Sequence, residues 1–81
     1  MSAKPNPWFD KLLTDADEAA LESDAVDIMH EFYLEKLVRS TQADEQRLQT
    51  IFEKKFGLDG WDRVKTKGRA LATSQFKRSF Q

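Results

Sequence analysis

Three ionisable side chains near the middle of the chain have a spacing that suits metal chemistry. Asp27, His30 and Glu31 lie at positions i, i+3 and i+4, which places them on one side of a helix. Carboxylate and imidazole groups are common metal ligands. The chain has only one histidine, however, and position 34 is Leu34, so the zinc-protease pattern His-Glu-x-x-His is not formed. We therefore expect no metal ion and no other cofactor, and we interpret His30 as a structural histidine.

Other catalytic constellations are incomplete as well. The segment Asp15-x-Asp17 begins like a calcium-binding loop, but Ala20 stands where that loop requires glycine. The sequence has no cysteine, which excludes disulfides, thiolate zinc sites and cysteine nucleophiles. A serine nucleophile would have only His30 as a histidine base, and the three glycines match no nucleotide-binding loop. We therefore expect a protein that is not an enzyme.

The spacing of apolar residues predicts an all-α fold. Apolar side chains recur at helical intervals over 7–22, 24–39, 42–56 and 60–79. No segment alternates with a period of two over several residues, so strands are not expected. The predicted fold is a compact bundle of three to four short helices. It forms a single domain, residues 1–81, with frayed ends at 1–5 and 80–81.

Two glycines shape the predicted bundle. Gly57 follows an apolar helix face, and a glycine with positive φ commonly ends a helix. We predict a short turn from there to Gly60, before the last helix. Gly68 lies inside that last helix, where glycine costs about 1 kcal/mol relative to alanine. It therefore indicates a kink or a close crossing with another helix.

Charge is divided unevenly along a chain whose formal net charge is −1. Residues 1–35 contain nine acids and two bases, a net charge of −7, whereas residues 36–81 contain 11 bases and five acids, a net charge of +6. Charge of one sign on one face steers oppositely charged partners. The plainest interpretation is that both faces are solvated and attract each other across the domain. The alternative is that one face binds a partner.

We favour the acidic face of the first two helices as a surface for a partner protein with a basic surface. Regularly spaced carboxylates can imitate the potential of a phosphate backbone, so the protein would inhibit or adapt a nucleic-acid-binding machine. Apolar side chains beside the acidic stripe would act as anchors, because interfaces combine an apolar centre with a charged rim. The predicted partner-binding residues are Asp17, Glu18, Asp27, Glu31, Leu34, Glu35 and Val38.

The basic last helix supports a second hypothesis, DNA or RNA binding. The region around Gly57 resembles a helix-turn-helix, because a glycine and a hydrophobic residue separate two predicted helices. Glu53 stands where that motif usually has a small residue, and Asp59 and Asp62 would lie near phosphates. The residues of this hypothesis are Arg63, Lys65, Lys67, Arg69, Lys77 and Arg78. A third hypothesis is a dimerising structural helical unit.

Length and hydropathy bound where the protein works. No apolar run reaches the roughly 18–20 residues that span a bilayer, and residues 1–7 lack the apolar core of a signal peptide. We expect a cytoplasmic protein without membrane contact. A chain of 81 residues has room for one small core, so a monomer and a homodimer are both compatible with its size.

Overall fold

The computed structural model describes residues 7–39 and 43–79, which form three helices. They are α1 (Pro7–Glu18), α2 (Glu22–Arg39) and α3 (Glu45–Arg78). No strand occurs in the two described ranges, so the predicted all-α bundle is confirmed. None of the helices in these ranges has the length and apolar character needed to cross a membrane.

α3 is bent at Gly57 into a first arm, residues 45–56, and a second arm, residues 58–78. Gly57 has φ 79° and ψ 176°, a region that is essentially restricted to glycine. The predicted helix stop at Gly57 is confirmed. The predicted turn through Gly60 is wrong, because helical geometry resumes at Leu58. The bend is thus a single residue, shorter than the turn of a helix-turn-helix.

The two arms run in opposite directions along α2. The first arm begins near the end of α2, where the Tyr33 hydroxyl donates to Glu45 Oε2 at 2.6 Å. The second arm begins near the start of α2, where Arg63 Nη2 donates to Glu22 Oε2 at 2.7 Å. α2 is therefore the central helix. The whole arrangement measures 38 × 35 × 16 Å, and so thin a slab leaves each helix an exposed side.

The core lies where α2 meets the other helices. Its buried aromatic side chains, apart from Tyr33, are Phe9, Phe32, Phe52 and Trp61. Phe32 stacks on Trp8 with ring centroids 6.0 Å apart, which ties α1 to α2. Among the aliphatic residues of α2, Leu34 is half-buried against the core, whereas Leu37 is 42% exposed.

The boundary between α1 and α2 lies earlier in the chain than the sequence predicts. α1 ends at Glu18 instead of residue 22, and α2 begins at Glu22 instead of residue 24. Asp24 is therefore the third residue of α2 and not its N-cap. Its Oδ2 accepts a hydrogen bond from the Leu21 amide at 3.4 Å, which is one half of a capping box.

A lysine from α3 closes the end of α1. α1 has no basic residue in its last turn, and its final carbonyl groups have no intrahelical donor. Lys55 Nζ donates to the Ala19 carbonyl just beyond the helix at 2.8 Å. A cation at this position satisfies an acceptor and opposes the negative end of the helix dipole, so the first arm of α3 stabilises α1.

The N-terminus of α3 has its own cap. Asp44 Oδ1 accepts from the Gln46 amide at 3.0 Å, the usual role of an N-cap aspartate. The helix begins directly after Asp44. The predicted start at residue 42 and the predicted frayed ends, 1–5 and 80–81, lie outside the described residues.

α2 and the second arm make a close crossing at Gly68. A Cβ atom at this position would lie 2.6 Å from Met29 Cβ and 3.0 Å from the His30 backbone nitrogen. Met29 is fully buried, and the other contact is backbone, so neither can yield without moving α2. The close crossing that Gly68 predicts is confirmed.

We expect Gly68→Ala to lower the free energy of unfolding, by about 2 kcal/mol at most. Overpacking at the crossing costs about 1–3 kcal/mol, and the better helix propensity of alanine, about 1 kcal/mol, offsets only part of that cost. Urea denaturation followed by circular dichroism measures the change. Ser74→Ala, at an exposed position of the same arm, is the control and should not destabilise the protein. A Gly68→Ala protein as stable as the wild type would show that the crossing has room for a methyl group.

Candidate binding surfaces

One side of α2 carries a row of carboxylates, the acidic ridge. Its members are Asp24, Asp27, Glu31 and Glu35. Steps of three or four residues hold neighbouring Cβ atoms about 5–6 Å apart, and the row covers about 16 Å of helix. Asp27 and Glu31 are exposed, and no ion pair among the described residues involves either one. Glu35 is half-buried, 3.5 Å from Arg39 Nε.

The α1 residues that the sequence grouped with this ridge are placed differently. Asp17 lines two adjoining cavities of about 390 and 570 Å³, whose walls come from α1 and the first arm of α3. The cations that line these cavities are Arg47, Lys54 and Lys55. Asp17 therefore faces basic side chains of its own chain and is not brought together with the ridge. Glu18 is exposed at the last residue of α1.

Of the two apolar side chains that were predicted to anchor a partner, Val38 is exposed and Leu34 is only partly exposed. Val38 is 57% exposed. Leu34 packs against the core and is half-buried, which corrects the expectation that it lies outside the apolar face. Leu37, beside Val38, is also exposed. The exposed apolar surface of α2 is thus at its C-terminal end.

His30 faces the second arm of α3. Its Nε2 lies 2.7 Å from Gln75 Oε1, so the imidazole joins two helices. Among the described residues, no three His, Asp or Glu side chains are arranged to hold a metal ion. The spacing of Asp27, His30 and Glu31 therefore does not bring three ligands to one point, and His30 contributes to helix packing.

The basic residues of the second arm point to different sides of the helix. One cavity of about 570 Å³ is lined by Lys65, Arg69 and Lys77. At 100° per residue, Lys67 and Arg78 lie about 140–160° around the helix from the centre of that set. Arg63 is engaged by Glu22. The six residues that the sequence grouped as one nucleic-acid surface therefore do not share one face.

Arg63 and Glu22 form a two-point ion pair. Arg63 Nε donates to Glu22 Oε1 at 3.0 Å, and Nη2 donates to Oε2 at 2.7 Å. The hydrogen bond from Arg63 lowers the pKa of the Glu22 carboxyl, and the same bond raises the pKa of Arg63. Because both side chains are open to solvent, the pair is screened by water. Its role is to fasten the start of α2 to the second arm.

A further cavity, of about 420 Å³, lies between α2 and α3 beside Tyr33. Arg69 lies over the Tyr33 ring, with its guanidinium carbon 5.1 Å from the centroid. Lys36 Nζ lies 5.3 Å from the centroid of Phe32. Burial, followed by the hydrogen bond to Glu45, raises the pKa of the Tyr33 hydroxyl above its usual range.

The cavity beside Tyr33 is not evident from the sequence. Lys36 and Arg69 are far apart in the chain, and only the crossing of α2 with the second arm brings them to one cavity. The one signal in the sequence is the i, i+4 spacing of Phe32 and Lys36, which places a cation next to a ring on a helix.

The Glu22–Arg63 pair predicts a specific loss of stability in acid. Because the folded pKa of Glu22 is lowered, the pair stabilises the protein above the unfolded pKa of about 4.3 and loses that effect as pH falls through the lowered value. We expect Glu22→Gln to be less stable than the wild type at neutral pH and to lose less stability on acidification. Urea midpoints across the acid range measure this. Asp15→Asn, which removes the exposed pair with Lys11, is the control. Equal midpoints for wild type and Glu22→Gln at neutral pH would contradict the role assigned to the pair.

Tyr33 is the only tyrosine, so its ionisation can be followed directly by tyrosinate absorbance. We expect no ionisation in the folded protein near pH 10, where a free tyrosine titrates. The unfolded chain releases this proton while the folded chain keeps it, so stability should fall as pH rises above about 10. Glu45→Gln should lower the pKa. Ordinary titration near pH 10 with helical circular dichroism intact would show that the hydroxyl is not held by Glu45.

Comparison with known proteins gives no relative for this chain. No protein-family model, no curated protein and no solved structure matches it. Its function is therefore to be inferred from its own surfaces: the acidic ridge, the exposed end of α2 and the cations at the crossing with α3.

Proposed function

We propose that this protein is a non-enzymatic binding protein whose acidic ridge recognises a partner protein with a basic surface. The observation that carries the proposal is that the middle of the ridge is uncompensated. Asp27 and Glu31 are exposed, and neither belongs to an ion pair among the described residues. No lysine or arginine occurs between residues 24 and 35. Such a surface steers a cationic partner and selects against anionic ones.

An apolar contact next to the ridge supports the proposal. Val38 is 57% exposed and Leu37 is 42% exposed, at the end of the helix that carries the carboxylates. Interfaces commonly place apolar side chains beside charged ones, with charge guiding encounter and apolar burial supplying affinity. Leu34 is half-buried, so it offers less of its surface to a partner than Val38 and Leu37 do.

The partner class that suits the ridge is a nucleic-acid-binding protein. A nucleic-acid strand presents one negative charge per about 3.4 Å of helix axis, and the ridge presents one per roughly 5–6 Å. The ridge thus imitates the sign and the repetition of a phosphate backbone at lower density. A protein that occupies a basic groove in this way would act as an inhibitor or an adaptor.

Charge reversal on the ridge tests the proposal. We expect Glu31→Lys/Glu35→Lys to reduce capture of a specific protein from a nuclease-treated extract of the native host by about tenfold or more, the range seen when charges are removed from interfaces. Asp10→Lys/Asp59→Lys is the matched control, because it changes the net charge equally at exposed sites outside the ridge. Quantitative mass spectrometry measures the captured protein, and circular dichroism checks that each variant is folded.

The outcomes separate the hypotheses. A partner that is captured by the wild type and the control but not by the ridge variant supports the proposal. Adding the wild-type chain should then lower the affinity of that partner for an oligonucleotide. Equal capture by all three baits would refute a role for the ridge. Capture that is seen only when the nuclease treatment is omitted would refute direct recognition of a protein.

A further inference from the structure

A cavity on the second arm and a cavity between α2 and α3 share lining residues, and together they make up the basic groove. The cavity of about 570 Å³ on the second arm and the cavity of about 420 Å³ beside Tyr33 share Arg69 and Thr73. Four cations line the groove: Lys36, Lys65, Arg69 and Lys77. Lys36 belongs to α2 and the other three belong to the second arm, so the groove exists only in the folded protein.

Aromatic rings of the core hold three of these cations in place. Lys36 lies over Phe32 and Arg69 lies over Tyr33, at 5.3 and 5.1 Å from the ring centroids. Lys65 Nζ lies 5.7 Å from the centroid of Trp61. Each contact lies within the range of a cation–π interaction. Side chains that are positioned before a ligand arrives lose less conformational entropy on binding.

The groove has a net positive charge that the chain itself does not neutralise. No ion pair among the described residues involves any of its four cations. Its one lining carboxylate, Glu45, accepts the hydrogen bond of the Tyr33 hydroxyl at 2.6 Å. The hydroxyl side chains on the same walls are Thr66, Thr73 and Ser74. Lysine, arginine and hydroxyl groups are the side chains that most often donate to phosphate oxygens.

We propose that the basic groove binds the sugar–phosphate backbone of single-stranded nucleic acid. The 13 residues from Lys65 to Lys77 cover about 18 Å of helix from the first Cα to the last, which spreads the cations of the groove along several nucleotides of a strand. Cavities of 420 and 570 Å³ have the size of small-ligand sites. The four cations suffice to contact one backbone, so we expect a single strand to bind better than a duplex.

This binding does not depend on base sequence. The rings beneath the cations are buried, with Phe32 at 0%, Trp61 at 4% and Tyr33 at 7% exposure. They are therefore closed to the base stacking by which other single-strand proteins add affinity. What the groove offers is charge and hydroxyl donors, which read the backbone and carry no sequence information.

The residue set differs from the one that charge along the sequence suggests. Arg63 is engaged by Glu22, and Lys67 and Arg78 point away from the groove. Lys36 joins it from α2. The groove is also separate from the acidic ridge, since Asp27 and Lys36 are nine residues apart and so point to opposite sides of α2.

Fluorescence anisotropy with a labelled single-stranded oligonucleotide of about 12 nucleotides tests the proposal. Four phosphate contacts predict a slope of about −3 for log K against log[salt], or about 50-fold weaker binding at 200 mM than at 50 mM salt. Lys36→Glu/Lys77→Glu should weaken binding about tenfold or more at low salt and flatten this slope. Lys67→Glu/Arg78→Glu carries the same charge change on the other side of the second arm and should have a much smaller effect. Oligonucleotides of different sequence should bind equally.

Several results would overturn the proposal. They are equal losses in the two double variants, tighter binding of a duplex of the same length, and no anisotropy change at low salt with about 100 µM protein. Salt-dependent self-association abolished by Lys36→Glu/Lys77→Glu would show instead that a second copy occupies the groove. Glu31→Lys/Glu35→Lys should still bind the oligonucleotide, so failure of the ridge and failure of the groove are distinguishable.

Discussion

The close approach of α2 and the second arm at Gly68 is the contact on which the arrangement of the basic groove depends. Because Gly68 has no side chain, the backbone of the second arm reaches Met29 and His30 on α2. One turn further along α2, Tyr33 then lies below Arg69, and Lys36 faces the same cavity. With a longer distance between the helices, Lys36 would lie apart from the cations of the second arm. The missing methyl group of Gly68 thus allows cations of two helices to line one groove.

α2 carries acidic side chains on one side and lies beside basic side chains on the other. Its acidic ridge faces one side, and Lys36 together with the cations of the second arm faces the other. The net charge of −1 is therefore the sum of a large negative charge in one part of the chain and a large positive charge in the other. The ion pair of Glu22 and Arg63 spans the acidic and basic parts of the chain, yet it leaves Asp27 and Glu31 free of ion pairs within the described residues.

Periodicity and glycine chemistry predicted the helices, the break at Gly57 and the crossing at Gly68, because these features depend on local geometry. The start of α2 was missed because it is set by Asp24 acting at the third helical position. The site was harder to predict, since a helical wheel gives the direction of a side chain but not its neighbour. Packing between distant segments decides that Lys36 and Arg69 line one cavity and that Asp17 and Arg47 line another.

The lysine that closes α1 has a consequence for how the native protein opens. A helix of 12 residues is only marginally stable by itself in water, and α1 depends on Lys55 of α3 to satisfy its final turn. α2 and α3 have their own caps and the most intimate crossing. We therefore expect α1 to be the segment that detaches first when the native protein opens. A protease or chaperone that samples such openings would meet the N-terminal third of the chain before any other part.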